Sequence, residues 1–361
     1  MPPRRFRIAV FGSSLVSAYW NGAATYYRGI FSALHRRGHR IVFYEPDAYD
    51  RQAHRDIPDP PYARSVVYPA GSERDVLAAL AQVREADIVV KTSGVGVFDD
   101  LLERAVLDLR ADGRRIVYWD VDAPVTLDRM RANPADPFRA LVPQYDLVLT
   151  YGGGEPVVSA YREFGARGCI PIYNGLDPDA HHPVPADPRF EARLGFMGNR
   201  MPDREDRVRA FFLDAAERLP GSRFLLGGNG WEPDRVPRNV RCLGHVYTRD
   251  HNAFNSTPLA VLNVNRESMA RYGHSPPTRI FEAAGAAACL IIDGWRGIDA
   301  FLEPGRECLV AHSGREVAEA LEALDPERAR RIGRAAHARV TAEHTYAQRA
   351  ASVEAALLEI L

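Results

Sequence analysis

RYGHSPPTRIFEAAGAAACLIID, residues 271–293, combines a loop, a helix and a strand in one short stretch. Pro276 and Pro277 close the loop, small residues follow the helical part, and residues 289–292 are apolar enough for a strand. Proline is favoured at the first helical position, and the unpaired amides of a helix start attract anions. Small residues let the helix lie close to a sheet. The stretch therefore predicts an α/β unit with an anion site at the helix start.

Arg279 and Glu282 fall in the first turns of this predicted helix. The planar guanidinium of Arg279 suits a phosphate group. The Glu282 carboxylate, about one turn further along, can accept hydrogen bonds from two ribose hydroxyls. An alternative is an ordinary surface pair at i,i+3 spacing, worth only about 0.2–0.5 kcal/mol. Spacing alone leaves both interpretations open.

Apolar runs and helical patterns alternate along the chain, which indicates parallel sheets covered by helices on both faces. In the first half, helical spacing places Tyr27, Ile30 and Leu34 on one face of a helix that ends at Gly38. The proline-rich residues 46–69 are predicted to be irregular. The predicted strands are residues 7–11, 41–44, 87–91, 115–119, 147–150 and 169–172 in a first series, and 194–197, 223–226, 240–243, 259–264, 289–292 and 308–310 in a second.

The two series are separated by residues 173–188, in which an Asn-Gly pair is followed by four prolines. This composition is typical of a linker that restarts the chain in a new domain. Two stacked α/β domains would place the carboxyl ends of their strands around a cleft, which is a natural ligand site. The predicted organisation is a first domain at residues 1–173, a linker at 174–190, a second domain at 191–340 and a final helix at 341–361.

Composition excludes several classes of protein. The net charge of −1 gives no electrostatic reason to expect nucleic acid or an anionic membrane as a partner. The four cysteines occur singly, so neither a zinc site nor a disulfide framework is predicted. No segment reaches the ~18 apolar residues of a membrane span, and the N-terminus lacks the apolar core of a signal peptide. We expect a soluble cytoplasmic protein with reduced thiols.

Residues 275–285 carry two prolines and an Arg-x-Phe-Glu-Ala run at 279–283, followed by a small, glycine-containing turn. This segment resembles the donor-binding motif of GT-B glycosyltransferases, and within them the CgeB-like group. The resemblance implies two Rossmann-like domains and a ribose-binding role for Glu282. It also implies that residues 174–178 form the interdomain crossing and that the final helix crosses back onto the first domain. Relatives with the group 1 signature carry another glutamate eight positions earlier, where this chain has His274.

The resemblance also implies which residues of the second domain would bind the donor. Similar enzymes place a basic residue near Arg200 against the donor diphosphate; the alternative is a solvated side chain in a strand-to-helix turn. Gly198 would let a ligand approach the backbone, and His245 is a candidate for the base, with a purely structural histidine as the alternative. The remaining donor-binding candidates are Asn199, Asn265, His274, Ser275 and Thr278.

The first predicted loop of the first domain has no G-x-G-x-x-G fingerprint, so dinucleotide binding is not expected. In GT-B enzymes this loop faces the donor phosphates or the acceptor. The candidates on this acceptor and phosphate side are Ser13, Ser14, Asn21, Gly22, Lys91 and Gly153. Lys91 is the only lysine of the chain, and a tight turn is the alternative role for Gly153.

Asp120 and Asp122 follow an apolar run and stand two residues apart. In an extended chain both side chains would point the same way. Paired carboxylates can raise one pKa and so create a base for the hydroxyl proton of an acceptor. Helix capping or a bridge to an arginine is the alternative. We therefore take both aspartates as catalytic candidates.

The sequence thus predicts a metal-independent glycosyltransferase that uses a nucleotide-diphosphate sugar as co-substrate and needs no other cofactor. Arginines and helix amides would stabilise the departing diphosphate. The first alternative is a sugar-nucleotide epimerase of the same fold. The second is a non-catalytic nucleotide-sugar-binding protein, which His274 in place of the glutamate keeps open.

Overall fold

The computed structural model describes residues 4–19 and 21–361. They form two compact units. Unit 1 contains the chain up to Tyr173 together with Tyr346–Leu361, and unit 2 contains Asn174–Thr345. Within the described residues, no helix is long and apolar enough to cross a membrane. What the sequence predicts for residues 1–3 lies outside the described part and stays a prediction.

Unit 1 is built on a seven-stranded sheet whose neighbouring strands are all parallel. Its order is β3-β2-β1-β4-β5-β6-β7, where the strands are β1 (Arg7–Phe11), β2 (Arg40–Asp47), β3 (Arg64–Pro69), β4 (Ile88–Thr92), β5 (Arg115–Asp120), β6 (Leu147–Thr150) and β7 (Cys169–Pro171). Buried aromatic side chains, among them Tyr26, Phe31 and Trp119, belong to its core.

The helices that connect these strands are α1 (Ala24–Arg36), α2 (Glu73–Leu80), α3 (Asp99–Ala105), α4 (Ala123–Ala132) and α5 (Gly154–Glu163). Helix α1 buries its apolar face, including Tyr27, Ile30 and Leu34. It is followed by Gly38 in a left-handed conformation with φ +94°. This conformation favours glycine and ends the helix where the sequence predicts.

Unit 2 is built on a six-stranded parallel sheet. Its order is β10-β9-β8-β11-β12-β13, where the strands are β8 (Leu194–Met197), β9 (Phe224–Gly227), β10 (Val240–Gly244), β11 (Ala260–Asn263), β12 (Leu290–Asp293) and β13 (Leu309–Ala311). The helices are α6 (Pro202–Val208), α7 (Asp214–Arg218), α8 (Thr248–Ser256), α9 (Glu267–Tyr272), α10 (Thr278–Gly285), α11 (Gly314–Glu322) and α12 (Pro326–Glu343). A π-helical turn, Arg209–Leu213, joins α6 to α7.

The last helix, α13 (Tyr346–Glu359), is part of unit 1 and packs beside α1. The two helices lie so close that a Cβ atom at Gly29 would be 2.2 Å from the Tyr346 ring. Glu354 of α13 forms an ion pair with Arg37, and its Oε1 lies 3.3 Å from Nε2 of His39. Packing and charge therefore both hold α13 on the first unit.

The predicted fold class of two parallel-sheet, Rossmann-like domains is confirmed, and each predicted strand is present. The prediction that residues 46–69 are irregular is wrong for Arg64–Pro69, which pairs with β2 as strand β3. The residues Ser65-Val66-Val67-Tyr68 favour a strand despite the surrounding prolines. Because β3 lies at the edge of the sheet, Pro69 costs no interior ladder bond.

Candidate functional site

The start of α10 carries the residues that the sequence selects first. Pro277 is the N-cap residue and is extended, so α10 begins one residue later than the prolines predict, at Thr278. Nη1 of Arg279 donates to Oε2 of Glu282 at 2.9 Å. The Arg279 side chain is 40% exposed, whereas that of Glu282 is only 9% exposed. The i,i+3 pair does form, but its carboxylate is buried, unlike that of an ordinary surface pair.

Two histidines that the sequence analysis does not select lie beside Glu282. Nε2 of His181 is 3.8 Å from Oε1 of Glu282, and the rings of His181 and His251 stack with centroids 6.4 Å apart. Burial raises the pKa of Glu282, but electrostatic interactions, of which that with Arg279 is the largest, outweigh this effect, so the pKa lies below its usual value. Glu282 is therefore an ionised hydrogen-bond acceptor at neutral pH.

Arg204, in the first turn of α6, is a third residue that the sequence alone does not single out. Its guanidinium lies 5.9 Å from the centre of the Phe196 ring and donates to the carbonyl oxygen of Asn199. Burial, together with the charges of Arg279 and Arg266, lowers its pKa to about 10 against the opposing effect of Asp203.

The charge of Arg204 is not paired within unit 2. Among the described residues, no carboxylate oxygen lies within 4.0 Å of its guanidinium nitrogens, whereas Arg266 pairs with Asp203 and Arg279 with Glu282. Arg204 thus lies near two other guanidinium groups, those of Arg279 and Arg266, and has no carboxylate of its own among the described residues. An unpaired, partly buried guanidinium among like charges favours an anion.

Arg200, the predicted diphosphate ligand, has two carboxylate partners. Its Nε lies 2.7 Å from Oε2 of Glu205, and its Nη1 lies 2.8 Å from Oε1 of Glu232. These hydrogen bonds raise the pKa of Arg200. The role predicted for Arg200 stays a prediction, while the unpaired charge belongs to Arg204, four residues further on.

Gly198 and Asn199 connect the loops after β8 and β9. The carbonyl oxygen of Gly198 accepts from Nε1 of Trp231 at 2.8 Å, and Oδ1 of Asn199 accepts from the amide of Asn229 at 2.9 Å. A Cβ atom at Gly228, whose φ is +120°, would lie 2.3 Å from the Gly198 oxygen. The glycines therefore serve first to bring two backbone segments together.

His245, after β10, is exposed, and its ring meets the ring of Tyr247 edge-on at 4.7 Å. Tyr247 is 58% exposed. The pair forms an open aromatic surface at the carboxyl end of β10, and the predicted contact of His245 with a base stays a prediction.

The loop before α10 is held by three of the predicted donor residues. Nδ2 of Asn265 donates to the carbonyl oxygen of Ser275 at 3.2 Å, and Oγ1 of Thr278 donates to Oδ1 of Asn174 at 3.0 Å. The hydroxyl of Ser275 donates to the carbonyl oxygen of Gly273 at 3.0 Å. Asn265, Ser275 and Thr278 therefore support the loop that presents Arg279.

His274 adopts a left-handed backbone conformation with φ +46°, which is uncommon for a residue other than glycine. Its amide donates to the carbonyl oxygen of Arg296 at 2.7 Å. A Cβ atom at Gly297 would lie 2.1 Å from Nδ1 of His274, so the imidazole packs directly on that glycine. His274 thus connects the loop before α10 to the loop after β12 through a backbone hydrogen bond and a packing contact.

In unit 1, Asp120 and Asp122 do not have the expected extended spacing. Strand β5 ends at Asp120, and Asp122 has φ −139° and ψ 45° at the N-cap of α4. Asp120 is fully buried and accepts hydrogen bonds from Ser93, Tyr161 and the amide of Asp122. The chain turns because Asp120 binds the Asp122 amide. Asp122 is the partly exposed member of the two.

The loop after β1 is bonded within itself. The hydroxyl of Ser13 donates to Oδ1 of Asn21 at 3.0 Å, and the hydroxyl of Ser14 donates to Glu45 at 3.1 Å. Nδ2 of Asn21 donates to the carbonyl oxygen of Ser14 at 2.7 Å. These side chains are buried, so they shape the loop from within, while a Cβ atom at Gly22 would meet nothing within 4 Å.

Lys91 and Gly153 also have structural partners in unit 1. Nζ of the buried Lys91 lies 2.8 Å from Oδ1 of Asp99. Gly153 is the N-cap of α5 with φ +92°, and a Cβ atom there would lie 2.0 Å from Val157. The tight-turn interpretation therefore accounts for Gly153. Both ligand roles stay predictions.

Among the residues that the structure describes, no group of three or more His, Cys, Asp or Glu side chains is arranged to hold a metal ion. The four cysteines are unpaired. Metal independence itself stays a prediction that a chelator must test.

Comparison with known proteins gives a family match for part of the chain and similar folds for the whole of it. Residues 204–355 match the glycosyl transferase-like family. No curated protein matches the chain. It is similar to the structure of a sucrose-phosphate synthase from Thermosynechococcus elongatus, with 15% identity over 99% of both chains and a TM-score of 0.72.

Two further structures show the same fold. HepE from Anabaena, in complex with UDP and glucose, has 15% identity, a TM-score of 0.70 and coverage of 98% of this chain and 100% of its own. An alpha-glucosyltransferase in complex with UDP-glucose and DNA has 13% identity, a TM-score of 0.70 and coverage of 99% and 100%. The chain therefore has the GT-B fold, and its residues 204–355 are similar to the glycosyl transferase-like family.

Proposed function

We propose that this protein transfers a sugar from a uridine diphosphate sugar to an acceptor hydroxyl, without a metal ion. The observation that carries the proposal is the unpaired Arg204 guanidinium beside Arg279 and the buried Glu282. Guanidinium groups suit a diphosphate, and an ionised carboxylate suits the hydroxyls of a ribose. HepE with UDP and glucose makes UDP-glucose the first donor to test.

The reaction is a single substitution at the anomeric carbon. The acceptor oxygen forms a bond to that carbon, the bond to the diphosphate oxygen breaks, and UDP leaves with the bonding electrons. Arg204 and Arg279 stabilise the negative charge that grows on the leaving diphosphate. In an inverting reaction, Asp122 takes the hydroxyl proton; in a retaining one, an oxygen of the donor phosphate takes it. Membership of the CgeB-like group and a cytoplasmic location are part of the proposal.

The test is turnover of UDP-glucose with a panel of hydroxyl acceptors, followed by mass spectrometry of the products. We expect an acceptor heavier by one hexose together with released UDP, at a rate that a chelator leaves unchanged. Arg204→Gln should lower turnover by about 10²–10³-fold, as for the loss of one donor to a developing charge. Arg330→Gln, at an exposed arginine of α12, is the matched control and should have normal turnover.

Other outcomes identify the alternatives. An altered sugar released without any acceptor would show an epimerase. Binding of UDP-glucose without turnover under all acceptors would show a binding protein, and no binding of UDP at all would refute the proposed donor site. Loss of activity with a chelator and recovery with magnesium would refute metal independence.

A further inference from the structure

The first residues of unit 2 follow helix α10 along its length. Nδ2 of Asn174 donates to the carbonyl oxygen of Pro276 at 3.1 Å, and its Oδ1 accepts from Thr278 at 3.0 Å. Asn174 is completely buried. The start of the segment is therefore bonded to both residues that flank the N-cap of α10.

The same segment passes over the end of α10 at Gly285. A Cβ atom at Gly285 would lie 2.4 Å from Cδ1 of Leu176 and 2.9 Å from the carbonyl oxygen of His181. Only a glycine permits this approach of the segment to the helix. The approach brings the His181 imidazole to the carboxylate of Glu282, one turn before Gly285.

Arg279 and His181 lie beside different oxygens of the Glu282 carboxylate. Arg279 donates to Oε2, and Nε2 of His181 is 3.8 Å from Oε1, within ion-pair range but longer than a hydrogen bond. His181 is only 6% exposed, and its Nδ1 has no hydrogen-bond partner among the described residues. The terminal torsion of a glutamate is otherwise broad, so contacts on both oxygens define the carboxylate plane.

His251, in helix α8, lies beside His181 with ring centroids 6.4 Å apart. The two rings are nearly parallel, with an interplanar angle of 19°. Burial lowers the pKa of His251 to about 4, so it is neutral at pH 7. Its Nε2 lies 3.2 Å from the carbonyl oxygen of Val246, which only accepts, so Nε2 carries the proton. His251 is thus bonded to the backbone and limits rotation of His181.

We propose that His181 is a positioning residue for the donor ribose, and that it makes the site selective for ribonucleotides over 2′-deoxyribonucleotides. The inference rests on the proposed function, in which Glu282 binds the ribose hydroxyls. His181 sets the carboxylate plane, and both carboxylate oxygens then face the two hydroxyls together. Without His181 the carboxylate turns about its terminal torsion and loses the 2′-hydroxyl, while the base and diphosphate contacts remain.

The experiment compares the dissociation constants of UDP and 2′-deoxy-UDP by calorimetry in wild type and variants. Wild type should prefer UDP by roughly tenfold or more, since a hydrogen bond to a charged group contributes about 1.5–3 kcal/mol. His181→Ala should lose most of this preference and approach the ratio of Glu282→Gln. His181→Gln should retain part of it, because its amide can donate to Oε1.

His182→Ala is the matched control, because His182 is the next residue and is exposed. It should keep the wild-type preference. The proposal is overturned if folded His181→Ala or His181→Gln binds UDP and 2′-deoxy-UDP with the wild-type ratio, or weakens both equally. A wild type that binds both nucleotides equally well overturns the ribose assignment of Glu282, and one that binds neither overturns the proposed function instead.

Discussion

At the residue scale, Asp120 and Asp122 have the same side chain and stand two residues apart, but they have different roles. Asp120 is fully buried and accepts from Ser93, Tyr161 and a backbone amide, so its oxygens are occupied by the protein. Asp122 sits where the chain turns from β5 into α4 and is partly exposed. A structural carboxylate differs from a candidate base in its burial and in the number of hydrogen bonds that it accepts. The spacing of residues in the sequence gives neither property.

The two aspartates should therefore respond differently to amidation. In an inverting enzyme, Asp122→Asn should lower turnover by about 10²–10⁴-fold and leave UDP affinity unchanged, because only the base is lost. Asp120→Asn should instead lower the free energy of unfolding by about 1–3 kcal/mol, because a buried amide group replaces an acceptor. Kinetics, calorimetric binding and thermal unfolding measure the three quantities.

Asp108→Asn, at an exposed aspartate of unit 1, is the control for both measurements. Near-normal turnover of Asp122→Asn would remove Asp122 from the mechanism. So would a product with the donor's own anomeric configuration, since a retaining reaction needs no such base. An Asp120→Asn variant of unchanged stability would refute the structural assignment of Asp120.

How far the site could be predicted also depends on individual residues. Arg279 and Glu282 were found because they lie in one helix beside a proline signal. Arg204, His181 and His251 were missed because each reaches Glu282 or Arg279 from a distant part of the chain, and single-sequence patterns carry only local spacing. The role of a single histidine can be assigned only when the structure shows which groups its ring nitrogens contact.

At the element scale, loops between strands and helices define the shape of unit 2. Strand ends were predictable from apolar runs, whereas the loop before α10 depends on contacts with the loop after β12. There Gly297 has φ +91°, and the His274 ring occupies the space of a side chain. Strand β3 differs from these loops, because local sequence does favour it through its β-branched residues. The nearby prolines nevertheless lead to the prediction of an irregular segment.

Gly297→Ala should destabilise unit 2 and weaken UDP binding. The new Cβ would lie 2.1 Å from Nδ1 of His274, and the left-handed backbone adds strain of about 1–3 kcal/mol. Thermal unfolding should show a lower Tm, and calorimetry a weaker affinity, because the displaced His274 begins the loop that presents Arg279.

Gly221→Ala provides the control, since a Cβ atom there meets nothing within 4 Å and Gly221 has no positive φ. The double variant His274→Ala with Gly297→Ala removes the clash but keeps the backbone strain, so it should recover part of the lost stability. A Gly297→Ala variant as stable as Gly221→Ala would contradict this account of the loop.

At the scale of the whole molecule, the alternation of strands and helices was sufficient to predict two parallel α/β domains. The order of strands within each sheet was not, since each pairing joins residues far apart in sequence. The same limit applies to buried charge. Glu103 in unit 1 and His251 in unit 2 look like ordinary titratable residues in the sequence, yet burial shifts their pKa values in opposite directions.

These two residues contribute to stability with opposite dependences on pH. Burial raises the pKa of Glu103 from 4.5 to about 7, so its contribution is present below pH 4.5 and is lost as pH rises through 7. Burial lowers the pKa of His251 from 6.5 to about 4, so its contribution is present above pH 6.5 and is lost as pH falls through 4. Between about pH 4.5 and 6.5 the two slopes oppose each other.

Substitution by an uncharged residue should reveal the pH dependence of stability that each residue causes. The free energy of unfolding of Glu103→Gln should match that of wild type near pH 4.5 and exceed it at pH 8 by on the order of 2–3 kcal/mol, since ionising the buried glutamate no longer costs stability. His251→Asn should show the reverse dependence. Its free energy of unfolding should exceed that of wild type most near pH 4.5, because no imidazole remains to be protonated on unfolding.

Calorimetric unfolding at both pH values measures the differences, with the exposed Glu322→Gln as control. A stability difference that does not change with pH in either variant would show that the residue titrates alike in the folded and unfolded chain, and the assignment of its burial as the cause would fail.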